Sequence, residues 1–298
     1  MKIIRFNYGD KIESSEHLAL CLGYFDGVHL GHQTLIKEAI NEGYKVAVLS
    51  FDNSPAFVLG KKGDNKCLTT LKQKSQILAD LGVDIFYVMH LDSTTLKISK
   101  VFFIENVLKA IKPQKVICGQ DYSFGYLGEG NPILLQKYFD VTIMPLLEIN
   151  HLKVSSRNII ELVKNGEISK ANELLTRPYT ITGKVTKGLH NGHKIGFPTA
   201  NIESSEQVVP HVGVYIGYGV IDNKKYKGII SVGTHPSIHE LNEPIIEINL
   251  LDFSDDIYGK DIEIEFVKFI RPEIKFLNID DLKAQLQKDT NTAKKSLQ

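Results

Sequence analysis

Short apolar runs alternate with helix-forming segments along the first half of the chain, and this alternation constrains the fold most. Each run is apolar on both faces and too short for a typical helix, so each is predicted to be a buried β-strand. The runs are Leu18–Leu22, Lys45–Phe51, Ile85–Met89, Lys115–Gly119 and residues 141–144. Helices are predicted between them near residues 33–41, 70–81 and 100–111. This order predicts an α/β domain with a parallel sheet.

From residue 179 the pattern changes to β-rich runs separated by Gly, Asn, Asp and Pro. The runs are residues 180–186, 214–221, 226–232, 245–253 and 262–270. They predict a small antiparallel barrel or sandwich, followed by a terminal helix over 280–288 and a frayed tail. Because 298 residues exceed what one hydrophobic core usually supports, we expect two domains, 1–178 and 179–298. Two short helices, 157–165 and 168–175, would end the first domain.

Charge and cysteine content exclude several classes of protein. Lys plus Arg equals Asp plus Glu at 35 each, which removes a general electrostatic attraction to nucleic acid or to an anionic membrane. The three cysteines show neither zinc-ligand spacing nor a disulfide framework, and those in apolar runs are expected to be buried thiols. The N-terminus lacks a signal-peptide hydrophobic region, and no apolar run approaches ~20 residues. We therefore expect a cytoplasmic protein.

A glycine-rich turn, residues 23–32, links the first predicted strand to the first helix and contains His29 and His32. Backbone N–H groups at a helix start favour anions, and imidazoles three residues apart can reach one phosphate chain. Gly31 would let the backbone approach such a ligand. Two solvated or core histidines would have the same spacing, but the position at a strand end favours a phosphate site. A second turn, residues 119–125, is predicted to face the same crevice.

Residues 198–201, Pro-Thr-Ala-Asn, carry a second candidate site. On an extended segment the Thr199 hydroxyl and the Asn201 amide project to one side. Hard oxygen ligands of this kind suit Mg²⁺ held against nucleotide phosphates. The alternative is an ordinary proline turn in which both side chains satisfy local backbone groups.

The stretch GYFDGVHLGHQ, residues 23–33, resembles the signature of the nucleotidyltransferase superfamily. In this full form it is similar to the bacterial bifunctional riboflavin kinase and FMN adenylyltransferase (FAD synthetase) family. LTTL at 68–71, the turn at 119–125 and GFPTAN at 196–201 also match that family, and the similarity extends from about residue 20 to residue 289. The resemblance implies a Rossmann-like nucleotidyltransferase domain that transfers AMP from ATP to FMN, followed by a riboflavin kinase barrel. The implied substrates are riboflavin, FMN and ATP, with Mg²⁺ as cofactor.

The resemblance also implies roles for individual residues of the first domain. His29 and His32 would contact the ATP phosphates, and other residues would bind ATP or flavin: Gly23, Phe25, Asp26, Gly31, Asp121, Ser155, Ser156 and Arg157. Three departures weaken the match: Asn53-Ser54 replaces Pro-His of the family's Phe-Asp-Pro-His-Pro, Ile160 replaces an arginine, and Ser123 replaces a basic residue. Arg157 is a candidate substitute for the missing guanidinium, because residues three apart on a helix share a face.

In the second domain the resemblance assigns Thr199 and Asn201 to magnesium and ATP. Glu247, in the run IEINLLDF, is the candidate general base, with a solvated edge-strand glutamate as the alternative. Gly196 and Pro198 would border ATP, and Arg271 would border the flavin. Residues 187–194 are a candidate flap over ATP, or a solvated hairpin tip.

Two alternatives to a bifunctional enzyme follow from the departures. One is a riboflavin kinase with an impaired adenylyltransferase domain. The other is a non-catalytic flavin- or nucleotide-binding regulatory protein, against which Thr199, Asn201 and Glu247 speak.

Overall fold

The computed structural model describes residues 1–12, 14, 17–60, 65–186, 197–203, 206–233 and 244–297. The chain forms two compact units, Met1–Ser156 and Arg157–Gln298. The two short helices that were predicted to close the first domain fall on the second unit's side of this division. The domain boundary after residue 178 stays a prediction.

The first unit contains a six-stranded sheet in which every neighbouring pair is parallel. Its strands are β1 Lys2–Phe6, β2 Leu18–Leu22, β3 Lys45–Phe51, β4 Ile85–Met89, β5 Lys115–Gly119 and β6 Asp140–Met144. The order across the sheet is β1-β4-β3-β2-β5-β6. Five of these strands match the predicted apolar runs. β1 was not predicted, because it is a mostly exposed edge strand without a continuous apolar run.

Helices connect the parallel strands, as the alternation predicts. They are α1 Leu30–Asn41, α2 Pro55–Val58, α3 Leu71–Asp80, α4 Lys100–Phe102, α5 Lys109–Ile111 and α6 Pro132–Leu135. α3 begins where expected, since the side chain of Thr70 accepts from the Gln73 N–H in a capping box. The predicted helix 100–111 is interrupted by a π-helical segment, Phe103–Leu108. A two-stranded hairpin, β7 Glu148–Ile149 and β8 Leu152–Lys153, follows the sheet.

Side chains of the sheet enter two hydrophobic cores. In β2, Leu18, Leu20 and Leu22 belong to one core, while Ala19 and Cys21 belong to the other. This alternation places the cores on opposite faces of the sheet. Because both faces are covered, the strands are apolar throughout, which is why they could be recognised from the sequence. Cys21 and Cys118 are buried free thiols, as predicted.

The second unit is built around a closed antiparallel barrel, in the order β10-β13-β12-β11-β14-β9. Its helices and strands are α7 Ser156–Lys164, whose first residue precedes the division, α8 Ile168–Leu175, β9 Tyr179–Thr186, β10 Ala200–Glu203, β11 Gly213–Ile221, β12 Lys224–Gly233, β13 Ile245–Leu250, β14 Asp261–Arg271 and α9 Ile279–Ser296. Of the two predicted architectures, barrel and sandwich, the structure has the barrel. β10 is a strand that the sequence analysis treated only as an extended segment.

The terminal helix corrects one prediction. α9 continues to Ser296, so the expectation of a frayed tail from residue 290 is wrong. Ala293 and Leu297 are buried in a cluster that includes Val214 of β11, and Lys294 forms an ion pair of 3.0 Å with Asp252. Tertiary contacts therefore order a segment whose own sequence carries only a weak apolar pattern.

Candidate active sites

The glycine-rich turn leaves the carboxyl end of β2 through a tightly bent backbone. Phe25 and Gly27 have positive φ angles of 55° and 75° before α1 begins. The carboxylate of Asp26 is buried and accepts from the backbone N–H groups of Leu68 at 2.9 Å and Thr69 at 3.2 Å. Gly27 N–H donates to the Thr69 hydroxyl at 3.0 Å. The stretch before α3 therefore holds the turn in place, which gives Asp26 a structural role beside its predicted binding role.

His29 and His32 lie side by side at the start of α1. Their rings are stacked with centroids 3.7 Å apart, and the ring of Phe25 lies 4.6 Å from that of His32. Gly31 permits this packing, because a Cβ at this position would lie 3.3 Å from the His29 ring. The structure thus brings together the two histidines that the motif predicted. A Cβ on Gly23 would lie 3.0 Å from the Phe25 ring, so that glycine also serves close packing.

Burial, first, and then electrostatic repulsion from His29 and Lys74 lower the pKa of His32 well below its usual range. At neutral pH His32 is therefore a neutral imidazole, with one nitrogen that donates and one that accepts. Its Nδ1 is buried and has no hydrogen-bond partner among the described residues. Such a ring can donate to a phosphate oxygen, and a bound phosphate would favour its protonation.

Lys74 is a residue of this site that sequence reasoning missed. It lies on α3, is 3% exposed, and donates from Nζ to the carbonyl oxygen of Tyr24 at 2.8 Å. A signal was present in the sequence: Lys74 stands between Leu71 and Leu78, at spacings that place all three residues on one helix face. A lysine on an apolar face indicates either a buried charge or a solvent-reaching side chain, and only the structure distinguishes the two.

β5 pairs with β2 in parallel. The turn at residues 119–125 and the glycine-rich turn therefore leave the same edge of the sheet, as the motif positions predict. Asp121 in this turn forms an ion pair of 2.8 Å with Lys153 of the hairpin. The following Val154 reaches within 3.9 Å of the position that a Gly31 Cβ would take, and Ser156 donates to the Asp26 carbonyl oxygen at 2.8 Å. The ion pair joins Lys153 to the turn after β5, and the hydrogen bond joins Ser156 to the glycine-rich turn after β2. Ser155, between Val154 and Ser156, is half-buried.

The departures from the family pattern have identifiable places in the fold. Ser54 is buried at the start of α2, and the Asn53 side chain donates to the Leu91 carbonyl oxygen at 3.1 Å. Arg157 is exposed and Ile160 is half-buried, both on α7 in the second unit. The proposal that Arg157 replaces the missing guanidinium stays a prediction.

In the barrel, Asn201 and Glu247 are directly opposite each other on the antiparallel strands β10 and β13. The register continues on both sides, since Asn201 is paired with Thr186 of β9 and Glu247 with Ser231 of β12. These four side chains are half-buried, whereas their strand neighbours, such as Ile202 and Ile248, are buried. Residues directly opposite in a sheet project to the same face, so a polar row crosses the outside of the barrel.

Thr199 is half-buried two residues before Asn201, just outside β10. The carbonyl oxygen of the neighbouring Pro198 accepts from the side chain of Asn249 at 2.6 Å. Asn249 lies two residues after Glu247 on β13, so this bond fixes the Pro198 segment beside the glutamate strand. Gly196 and the candidate flap, residues 187–194, lie outside the described residues.

Arg271 makes contacts that its predicted flavin role did not anticipate. Its guanidinium donates to the carboxylate of Asp289 on α9 at 2.7–3.1 Å and to the Pro272 carbonyl oxygen at 3.1 Å. Asp289 is buried and also accepts from Gln285 at 2.9 Å. Arg271 therefore anchors the terminal helix, and its contribution to flavin binding stays a prediction.

The first unit has a parallel sheet with a histidine pair at a helix start, and the second has a closed barrel with an Asn–Glu pair. Together they define a class of protein in which a nucleotidyltransferase-like domain is followed by an antiparallel barrel domain. Comparisons with known proteins identify the family. The model of the FAD synthetase family matches residues 11–158, and that of riboflavin kinase matches residues 175–297.

Curated relatives agree with both matches. The Bifunctional riboflavin kinase/FMN adenylyltransferase of Listeria monocytogenes is 40% identical, with 91% of this chain and 89% of that protein covered. The protein of the same name in Escherichia coli K12 is 33% identical, covering 99% of this chain and 97% of that protein. This chain belongs to the bifunctional riboflavin kinase/FMN adenylyltransferase family.

A crystal structure from Streptococcus pneumoniae, described as a macrolide-efflux protein, superposes with a TM-score of 0.91 at 28% identity and covers 99% of both chains.

Within the described residues, no helix combines the length and apolar character that crossing a membrane requires.

Proposed function

We propose that this chain phosphorylates riboflavin with ATP in its barrel and then transfers AMP from ATP to FMN in its parallel-sheet domain, giving FAD and pyrophosphate. The observation that carries this proposal is that one chain contains both a histidine pair and an Asn–Glu pair, each in its own unit. His29 and His32 stack at a helix start, and Asn201 lies opposite Glu247 on adjacent strands. Its substrates would be riboflavin, FMN and ATP, and its place of action the cytoplasm.

In the barrel, Glu247 acts as general base. Its carboxylate takes the proton of the riboflavin primary hydroxyl, the hydroxyl oxygen forms a bond to the γ-phosphorus, and the bond from that phosphorus to the ADP oxygen breaks. The register supports this role, because it places Glu247 beside Asn201 on the same outer face. Gly196 and Pro198 would border ATP, and Arg271 would border the flavin from the end of β14, where it is paired with Asp289 of α9.

Thr199 and Asn201 are the residues that would hold Mg²⁺. Their hydroxyl and amide oxygens are hard donors, they lie two residues apart at the start of β10, and a carboxylate is directly opposite, so the donor set fits this ion. Bound Mg²⁺ would neutralise charge on the ATP phosphates. The chain's own part is to hold the two oxygens on one side of an extended segment.

In the parallel-sheet domain, an oxygen of the FMN phosphate attacks the α-phosphorus of ATP and pyrophosphate leaves, with no covalent enzyme intermediate. His29 and His32 donate hydrogen bonds to the phosphate oxygens, where negative charge develops. Gly31 and the N-terminus of α1 bring backbone N–H groups to the same place. The remaining proposed contacts to ATP or flavin come from Gly23, Phe25, Asp26, Asp121, Ser155, Ser156 and Arg157.

The test is a reaction with riboflavin, ATP and Mg²⁺, followed by chromatography of the flavins. We expect FMN to form first and FAD to follow, with one pyrophosphate released for each FAD. An EDTA-treated reaction is the control. Failure of the folded protein to form FMN would contradict the kinase proposal.

The same experiment addresses the alternative that the first domain is impaired, which Asn53, Ser54 and Ile160 motivate. FMN that accumulates without FAD, even when FMN is supplied, would select that alternative. Quenching of flavin fluorescence without either product would select a non-catalytic binding protein.

A further inference from the structure

Lys74 is a buried cation at the glycine-rich turn, where its ammonium donates to a carbonyl oxygen rather than to a carboxylate. It is 3% exposed, and its ammonium makes one hydrogen bond within the described parts of the chain, to the Tyr24 carbonyl oxygen. Its Nζ also lies 4.2 Å from the centre of the Tyr24 ring. An ammonium has three N–H donors, and burying it without full hydrogen bonding is costly. Such a charge at a strand-end site indicates a functional role rather than a packing role.

The fold fixes Lys74 relative to the turn by several independent contacts. Thr70 caps α3 one turn before Lys74, and the preceding Thr69 binds Gly27 of the turn. Ser50 at the end of β3 donates to the same Tyr24 carbonyl oxygen at 2.6 Å. Helix α3 therefore fixes the Lys74 backbone, and the glycine-rich turn fixes its ammonium through the Tyr24 carbonyl oxygen.

Titratable groups face Lys74 from three directions: Tyr24 and Asp26 in the turn, Asp52 after β3, and Cys67 ahead of α3. Burial lowers the pKa of Lys74 to about 8, although Asp26, Cys67 and Asp52 act to raise it. The ammonium is thus mostly protonated at pH 7. The charge of Lys74 acts on His32 and is one of the reasons that the pKa of His32 is low.

We propose that Lys74 is a positioning and electrostatic residue of the adenylyltransferase site. Its ammonium holds the turn through the Tyr24 carbonyl and adds positive charge near His32, where a phosphate group of ATP or FMN binds. This inference rests on the proposed adenylyl transfer. It deepens that proposal by adding a cation that the sequence motif does not contain.

The test compares Lys74→Met, Lys74→Gln and a control, Lys72→Met, which removes an exposed lysine from the same helix. Glutamine keeps a donor for the Tyr24 carbonyl but carries no charge. We expect kcat/KM for FAD formation from FMN and ATP to fall at least tenfold in both Lys74 variants and to change less than twofold in Lys72→Met. Near-UV circular dichroism and thermal unfolding of each variant report whether the first unit, which contains Lys74, is folded. The riboflavin kinase rate, measured in parallel, is the reaction that should not change. A rise in KM confined to FMN or to ATP identifies the phosphate concerned.

A second readout does not depend on turnover. In histidine-labelled protein followed by NMR, the pKa of His32 should rise in Lys74→Gln, because a positive neighbour is removed, and should stay unchanged in Lys72→Met. A fall of less than tenfold in Lys74→Gln, or an unmoved His32 pKa, overturns the inference. If wild-type protein makes no FAD, the proposed function fails at this domain, whereas the His32 titration still tests the electrostatic link. Should Lys74→Met not fold, Lys74→Gln carries the test.

Discussion

Asp52 holds His90 where two neighbouring parallel strands, β3 and β4, end. One carboxylate oxygen lies 2.7 Å from His90 Nδ1, and the other accepts from the Leu91 N–H at 2.9 Å. The family pattern places a histidine at the position of Ser54, which is buried here. His90 therefore places an imidazole at this edge of the sheet, although the family histidine at position 54 is absent. No motif in the sequence predicts this contact.

The Asp52 carboxylate raises the pKa of His90, chiefly by hydrogen bonding and then by its charge, with a smaller contribution from Asp92. We predict that Asp52→Asn lowers the His90 pKa, measured by NMR titration, and that Asp92→Asn lowers it less. Because the folded-state pKa is the raised one, the stabilising effect of the pair is complete below the unfolded pKa of about 6.5 and is lost as pH rises through the folded value. An equal or larger effect of Asp92→Asn would contradict this assignment.

Among the elements, α9 shows how one buried ion pair secures a helix that local sequence only weakly specifies. The side chains of Arg271 and Asp289 are 14% and 4% exposed, and their bonding is bidentate. The pair connects the end of β14 to the last helix. Its partners are 18 positions apart, so helix periodicity carried no information about it.

We predict that Asp289→Ala lowers the free energy of unfolding of the second unit by about 3 kcal/mol, because it leaves the Arg271 guanidinium buried without its carboxylate. The urea dependence of hydrogen exchange at β14 amides reports this unit alone. The control is Lys294→Ala, which removes an exposed pair with Asp252 and should cost less than about 1 kcal/mol. Equal losses of unfolding free energy in the two variants would show that the buried pair stabilises the unit no more than the exposed pair does.

At the scale of the whole molecule, the catalytic residues proposed for each reaction lie within one unit, although Arg157, a proposed binding residue of the first reaction, is the first residue of the second unit. His29 and His32 belong to Met1–Ser156, whereas Asn201 and Glu247 belong to Arg157–Gln298. Variants in one site should therefore leave the reaction of the other intact.

We predict that Glu247→Gln lowers FMN formation at least about 100-fold, since a general base contributes that much or more, while FMN supplied directly is still adenylylated. His32→Ala should show the converse. Glu263→Gln, which changes an exposed glutamate of the same barrel, is the control and should affect neither reaction. Loss of both reactions in a folded single variant would argue against separate sites.

The sequence by itself determined the class of fold, five of the six strands of the parallel sheet and the family. Strands buried on both faces are continuous apolar runs, and the His29–His32 spacing places both imidazoles on one helix start, so each signal is local. Only the tertiary structure decided that Asn201 lies opposite Glu247, that Asp289 anchors the last helix, and that Lys74 is buried against the glycine-rich turn. Those pairings depend on strand register and on packing between distant segments, which local periodicity does not encode.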